Sequence, residues 1–202
     1  MYFDLTDDQQ QFVSVARDYA AGELAPNAAK WDAEHIFPRQ AIATAGALGF
    51  CGLYASEEYG GLGLSRLDAT LVFEELAAVD PSTTAFITIH NMATWMITNW
   101  AKPEIAEQYA PALTAGDQLA SYCLTEPGAG SDAGSLRTTA KLEGDEYVIN
   151  GEKMFISGAG ATDVLVLMAR TGGPGAEGIS ALLVPANLPG IQYGKNEEKL
   201  GW

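Results

Sequence analysis

Residues 121–135 read SYCLTEPGAGSDAGS, and the reading of that run decides the fold. A short apolar segment, 119–124, ends in Thr125, Glu126 and Pro127. Gly128, Gly130 and Gly134 then alternate with small residues, and Ser131 and Asp132 set a hydroxyl beside a carboxylate. Each glycine loses more chain entropy on folding than any other residue, so a cluster directly after a strand needs a reason. A surface loop is one reason. A ligand that must approach the backbone closely is the other. For the second, Thr125 and Ser131 offer hydroxyls. Residues 128–131 can present backbone N–H groups free of side-chain obstruction, which suits a pyrophosphate or the carbonyl edge of a heterocycle.

Gly128-Ala129-Gly130-Ser131-Asp132-Ala133 also fits the pattern G-x-G-x-x-A. That fingerprint requires the first glycine at the tight turn from strand into helix, then a parallel strand. Here Thr125, Glu126 and Pro127 intervene, and residues 136–158, LRTTAKLEGDEYVINGEKMFISG, read as antiparallel strands. The pattern therefore argues against a dinucleotide-binding fold.

Working outward, the chain has two halves of different period. Residues 1–116 read as helices. Thr6 to Gln9 is a capping box ahead of Phe12, Val13, Val15, Ala16 and Tyr19 at helical spacing, with Gly22 and Pro26 closing or interrupting that helix. Pro38 opens a second helix, which Gly49 ends. Residues 57–63, EEYGGLG, form a turn cluster, and Ser65 with Asp68 caps a third helix. Asp80-Pro81-Ser82 starts a fourth, apolar on most sides through Trp100, and Pro103 to Gly116 frames a last one. On the fourth, Phe86, Ile89, Ala93 and Met96 share one face, either as core or as part of an apolar ligand wall. Residues 117–202 change to short strand-like runs at 119–124, 136–142, 147–150, 154–157, 164–169 and 179–184, separated by turn signals. Residues 172–178 read as a mobile hairpin loop. The fold class is therefore α+β: an all-helical bundle domain over 1–116, then a small antiparallel β-barrel or sandwich over 117–202.

Composition narrows the function. The net charge is −15, with 11 Lys and Arg among 202 residues. That argues against a nucleic-acid surface, which needs clustered cations. No run approaches the roughly 18 apolar residues of a membrane span. The start, MYFDLTDDQQQF, lacks the character of a signal or transit peptide, which points to a cytoplasmic protein. Cys51 and Cys123 follow no metal spacing and read as reduced thiols of the interior. His90, alone on an apolar helix, reads as a hydrogen-bonded structural residue. Phe155 and Ser157, two apart on the expected strand 154–157, would share a face, where an aromatic and a hydroxyl can hold a flat ring. Phe155 reads equally well as core.

The residues together resemble a known family. CLTEPGAGSDAGS, at 123–135, is similar at every position to the first signature of the acyl-CoA dehydrogenases. KMFISGAG, at 153–160, resembles that family's second flavin-contacting strand, and EEYGGLGLS, at 57–65, sits where the family has it. The resemblance covers essentially the whole chain. HNMATWMI at 90–97, FISGAG at 155–160 and RTGGPGAEGIS at 170–180 resemble members acting on a short branched acyl-CoA of the isobutyryl type.

That resemblance implies FAD at the junction of the helical and β domains. Tyr122, Leu124 and Thr125 would meet the flavin edge, and Gly130 and Ser131 would continue that wall. Phe155 would lie against the isoalloxazine, with Ile156 beside it and Ser157 near the reactive edge. Ser131, Ile89 and Ala93 would face the acyl-CoA substrate. The implied reaction is α,β-dehydrogenation, with electrons passing to an electron-transfer flavoprotein and the full-length enzyme a homotetramer. The resemblance also implies a C-terminal helical domain, absent from these 202 residues, which carries the family's glutamate base. No catalytic base is therefore expected within this chain. Glu126 is expected to tie down the loop by hydrogen bonds, and no metal site is expected.

Overall fold

The computed structural model describes residues 4–199. They form two compact units, one of residues 4–119 with 198 and 199, the other Ala120–Glu197. The ends of the expected domains at residues 1–3 and 200–202 lie outside the described residues.

The first unit is helical because local sequence signals start and stop each helix. α1 (Asp7–Tyr19) begins in a complete capping box: the Thr6 hydroxyl accepts from Gln9 N at 3.2 Å, and Gln9 Oε1 accepts from Thr6 N at 3.1 Å. A π-helical turn (Ala20–Leu24) follows, then α2 (Ala28–Glu34) and α3 (Arg39–Ala47). α4 (Arg66–Ala77) has its own capping box from Ser65 and Asp68. The two boxes are joined, since Gln9 Nε2 donates to Asp68 Oδ1 at 2.8 Å, and α1 packs on α4. α5 (Pro81–Trp100) starts where Asp80 Oδ1 accepts from the N–H groups of Ser82 and Thr83, both at 3.0 Å, and α6 (Pro103–Thr114) packs against it.

The sequence reading placed five of these helix starts, those of α1, α3, α4, α5 and α6, but found neither α2 nor the π turn. Asn27 makes no side-chain cap at the start of α2, and none of its residues is buried. Its alanines, lysine and glutamate favour a helix, but no cap or apolar period marks it, and Trp31 alone of its residues packs on the core.

The core of the helical unit gathers Leu24, Ile42, Leu53, Val72, Leu76 and Ile87, all essentially inaccessible. One polar side chain organises it. Asn91, on α5, donates from Nδ2 to Phe50 O (2.7 Å) and Ile87 O (2.9 Å), and its Oδ1 accepts from Leu53 N at 2.8 Å. The irregular segment after α3 thereby satisfies its buried backbone groups on a helix side chain. His90 is likewise structural, its Nε2 donating to Leu113 O at 2.9 Å across to α6. Cys51 is a buried free thiol.

The second unit is a five-stranded sheet: β1 (Ala120–Cys123), β2 (Thr139–Glu143), β3 (Glu146–Asn150), β4 (Val164–Arg170) and β5 (Ile179–Pro185). β4 is its axis. β5 runs antiparallel along all of it, while β1 (from Ala120↔Val164) and then β2 (at Thr139↔Arg170) share the other edge. β2 and β3 form a hairpin with Gly144, at φ 65°, in its two-residue turn. The expected helical-then-β class stands.

Two details of the expectation are corrected. The sheet is mixed and not wholly antiparallel, because β1 and β2 pair with β4 in parallel. The 40 residues between β1 and β4 include the β2–β3 hairpin and supply the crossover that parallel pairing demands. Residues 154–157 are not a strand. Phe155 (φ 58°), Gly158 (φ 78°) and Gly160 (φ 81°) turn the chain repeatedly there.

Residues 172–178 do form the hairpin loop between β4 and β5, and Arg170 ties it down. Its Nη1 donates to the carbonyls of Gly173 (2.7 Å) and Gly175 (2.8 Å), and its Nη2 to those of Gly134 and Leu136, both at 2.9 Å.

Asn91→Ala would strand one buried N–H, of Leu53, and one buried carbonyl, of Phe50, while Ile87 O keeps its place in the helix ladder. Urea unfolding is expected to show a loss of about 3 kcal/mol at unchanged m-value. A loss under about 1 kcal/mol would show that the segment after α3 does not depend on this side chain.

Candidate functional site

The loop after β1 is built around a two-residue turn. Glu126 and Ala129 exchange both backbone hydrogen bonds, at 3.0 and 3.1 Å, around Pro127 and Gly128. Gly128, Gly130 and Gly134 all avoid positive φ. A Cβ added at Gly128 or Gly130 would meet no heavy atom within 4 Å. Neither packing nor backbone strain within the chain therefore requires glycine at these two positions. The surface they leave is bare backbone.

The loop is fixed from beneath by the Glu126 carboxylate, 7% exposed. It accepts from Arg137 N at 2.6 Å, Thr138 N at 2.9 Å and Lys153 Nζ at 2.8 Å. Burial alone would push this carboxyl up. The Lys153 ammonium and the backbone donors outweigh burial and hold it at about 2. A carboxylate so engaged is a poor proton acceptor near neutral pH. Glu126 is therefore the loop's anchor, as the sequence suggested, although its three partners were not foreseen.

A second segment, 153–162, meets the loop and β1. Lys153 Nζ also donates to Leu124 O at 2.8 Å, and Met154 N donates to Thr125 O at 2.8 Å. Ser121 Oγ donates to Ser157 O at 2.7 Å and lies 2.9 Å from Thr162 Oγ1. The bonds of Lys153, Ser121 and Thr162 between these segments were not foreseen. The available signal was a lysine inside KMFISGAG, in a chain with few cations.

The structure gathers most of the expected flavin-side residues on these segments of the β unit. Tyr122 is half-buried on β1, and burial raises its phenol, which stays neutral. Leu124 and Thr125 are half-buried; Gly130 and Ser131 are exposed. Ile156 packs on the β core. Ser157 does not share a strand face with Phe155. The Phe155 ring is 63% exposed on a left-handed residue, so it is not core. A bulky side chain at that φ is strained by roughly 1–2 kcal/mol. Among the described residues, no hydrogen bond engages the hydroxyls of Thr125, Ser131 and Ser157, or the N–H groups of Gly128, Gly130 and Ser131. This gives a set of unused donors beside an exposed aromatic ring.

Ile89 and Ala93 lie apart in sequence, on α5 of the helical unit. Ala93 is fully buried and Ile89 half-buried, with Phe86 buried on the same face. Cys123 is a buried free thiol whose burial pushes it up to about 12. Among the described residues no cluster of His, Cys, Asp and Glu could hold a metal ion, and no helix is long and apolar enough to cross a membrane.

Comparison with known proteins places this arrangement. Residues 6–117 match the model of the acyl-CoA dehydrogenase N-terminal domain, and residues 121–202 that of the middle domain. The chain belongs to the acyl-CoA dehydrogenase family. It is 52% identical over 199 residues to the mitochondrial isobutyryl-CoA dehydrogenase of Dictyostelium discoideum, covering 98% of this chain and 48% of that protein. The bovine (Bos taurus) enzyme of the same name is 48% identical, with the same coverage of each. A chain solved in a study of the electron-transferring flavoprotein of Acidaminococcus fermentans superposes with a TM-score of 0.93 at 38% identity, covering 100% of this chain and 53% of that one. A chain of the FAD complex of PigA gives 0.92 at 28% identity, covering 98% and 53%. The chain thus spans about half the length of the curated relatives it matches.

The depressed Glu126 value stabilises the folded β unit at any pH above the ordinary carboxyl value. The contribution, on the order of 3 kcal/mol, is lost as pH falls from about 4.5 through about 2. Comparing the acid limb of stability in wild type and Glu126→Gln checks this. The variant is expected to be less stable at neutral pH, with the gap closing toward pH 2. A gap that does not change with pH would refute the assignment.

Proposed function

We propose that this chain forms the FAD-contacting and part of the acyl-contacting portion of an acyl-CoA dehydrogenase that oxidises a short branched acyl-CoA, of the isobutyryl type, to the 2,3-enoyl-CoA. The observation that carries the reading is the unused donor set at Thr125, Gly128, Gly130, Ser131 and Ser157 beside the strained, exposed Phe155. The fold has no internal use for these groups, and a flat heterocycle with carbonyl edges and a pyrophosphate-bearing chain offers acceptors for them. The 52% identity to an isobutyryl-CoA dehydrogenase supports the substrate class.

The residues present fit FAD. Tyr122, Leu124, Thr125, Gly130 and Ser131 would hold one edge of the isoalloxazine. Phe155 and Ile156 would flank it, with Ser157 at the reactive side. When bound, FAD supplies the acceptor for the β-hydride of the substrate. The protein's task is to order these groups in advance and to keep water from the reacting carbons. Ser131, with Ile89 and Ala93 on α5, is assigned to the substrate side. Abstraction of the α-proton needs a carboxylate free to accept it, with its titration raised toward the working pH. Glu126 does not qualify, since its oxygens are committed to three donors. The base is accordingly assigned to none of the residues of this chain. Transfer of electrons onward to an electron-transfer flavoprotein and assembly as a homotetramer of the full-length protein, located in the cytoplasm, belong to the same proposal.

Titration of the full protein with FAD, read by flavin fluorescence, is expected to show saturable quenching. Phe155→Gly removes both the aromatic wall and the left-handed strain. It should gain about 1 kcal/mol in stability while FAD affinity falls about tenfold. Unchanged affinity would remove Phe155 from the site. Turnover of isobutyryl-, 2-methylbutyryl- and butyryl-CoA by the full-length protein is expected to favour the first. A clear preference for butyryl-CoA would instead indicate a short-chain enzyme.

A further inference from the structure

In a chain of net charge −15, most lysines have every reason to remain in water. The Lys153 side chain is only 10% exposed, and its ion-pair partner Glu126 6%. Of its three N–H donors, one goes to the Glu126 carboxylate and one to Leu124 O, both at 2.8 Å. The next residue adds a third tie, Met154 N to Thr125 O at 2.8 Å. Three consecutive loop residues, 124, 125 and 126, are thus held by two consecutive residues far along the chain. Phe155 follows at once, with its φ of 58°.

We propose that Lys153 is a positioning residue that locks the loop at 124–126 to the segment that presents Phe155, so that two separate parts of the flavin site are set by one buried ammonium. This rests on the FAD reading above. Lys153 need not touch the ligand. A salt bridge serving stability alone would require only the Glu126 contact. The second bond, to the Leu124 carbonyl, fixes the backbone of a residue assigned to the flavin edge. The Met154 bond fixes the backbone entering Phe155. The geometry therefore couples the two segments: a shift of the Lys153 backbone displaces Thr125 and Phe155 together.

The test compares FAD affinity of the full protein with Lys153→Met and with Val184→Ala, a core truncation on β5 outside the site. All are measured well below their unfolding midpoints, with the visible circular dichroism of bound flavin as a second readout. Lys153→Met is expected to bind FAD at least tenfold more weakly with an altered flavin spectrum, and Val184→Ala within twofold of wild type with an unaltered one. Equal affinities for the two variants would overturn the proposal. Should Lys153→Met not fold, Lys153→Arg decides, because it keeps the charge but replaces the compact ammonium with a planar fork. At least threefold weaker binding at an unchanged unfolding midpoint supports the positioning role, and wild-type affinity overturns it. If wild-type protein bound no FAD, the functional reading would fail separately. Amide exchange at Met154 would then read the tie directly: faster in the folded Lys153 variant than in Val184→Ala if Lys153 locks the segments, equal if it does not.

Discussion

The β unit depends on one buried carboxylate. Glu126 lies at the point where the chain leaves β1, and its two oxygens receive three donors from two other parts of the sequence. A buried carboxylate left without partners would be costly by several kcal/mol. The fold therefore cannot form β1, the start of β2 and segment 153–157 independently. They assemble together or leave a charge stranded. This constraint explains how a glycine-rich loop can be definite in shape. Its glycines supply no rigidity, and the two ends of the loop are pinned instead, by Glu126 at one side and by Arg170 at Gly134 and Leu136 at the other.

The helical unit solves a related problem by different means. Its helix starts are satisfied locally by Thr6, Ser65 and Asp80, each within three residues of the groups it serves. Long-range order comes from Gln9 to Asp68 and from Asn91, which carry neutral or charge-assisted bonds between elements. No buried ion pair takes part in either link. Tight helix packing needs few polar ties, whereas an irregular loop must have its backbone groups answered one by one.

This contrast also sets what the sequence could tell. Caps act between residues at most three apart, so the starts of α1, α4 and α5 were legible directly, and Pro38 and Pro103 marked those of α3 and α6. Strand positions were legible from apolar runs bounded by turns. Strand partners were not, because no local pattern distinguishes β1 pairing with β4 in parallel from an antiparallel neighbour. At residues 154–157 the residue types, Met, Phe and Ile, have strand character, and local preference was misleading. The positive φ at Phe155 directly follows ties from Lys153 and Met154 to residues 124–126, which a reading of local propensity does not see. At the site, the unused hydroxyls of Thr125 and Ser131 and the anchoring role of Glu126 were legible. The donors that hold Glu126 were not, since two of them are backbone groups with no side-chain signature.

The misreading at Phe155 is informative about how the site works. An aromatic ring exposed on a left-handed residue is unfavourable twice, through strain and through contact with water. Such a residue persists where the surrounding structure over-determines it, and here it directly follows the tied residues Lys153 and Met154. The same stretch holds Thr125, through Met154 N. A ligand entering here meets a ring and a set of donors already in place, so little conformational entropy remains to be lost on binding. The local sequence disagrees with the local structure at the position where a flat cofactor would be gripped. That disagreement lies directly after Lys153 and Met154, whose bonds to residues 124–126 are the long-range ties a reading of local propensity does not see.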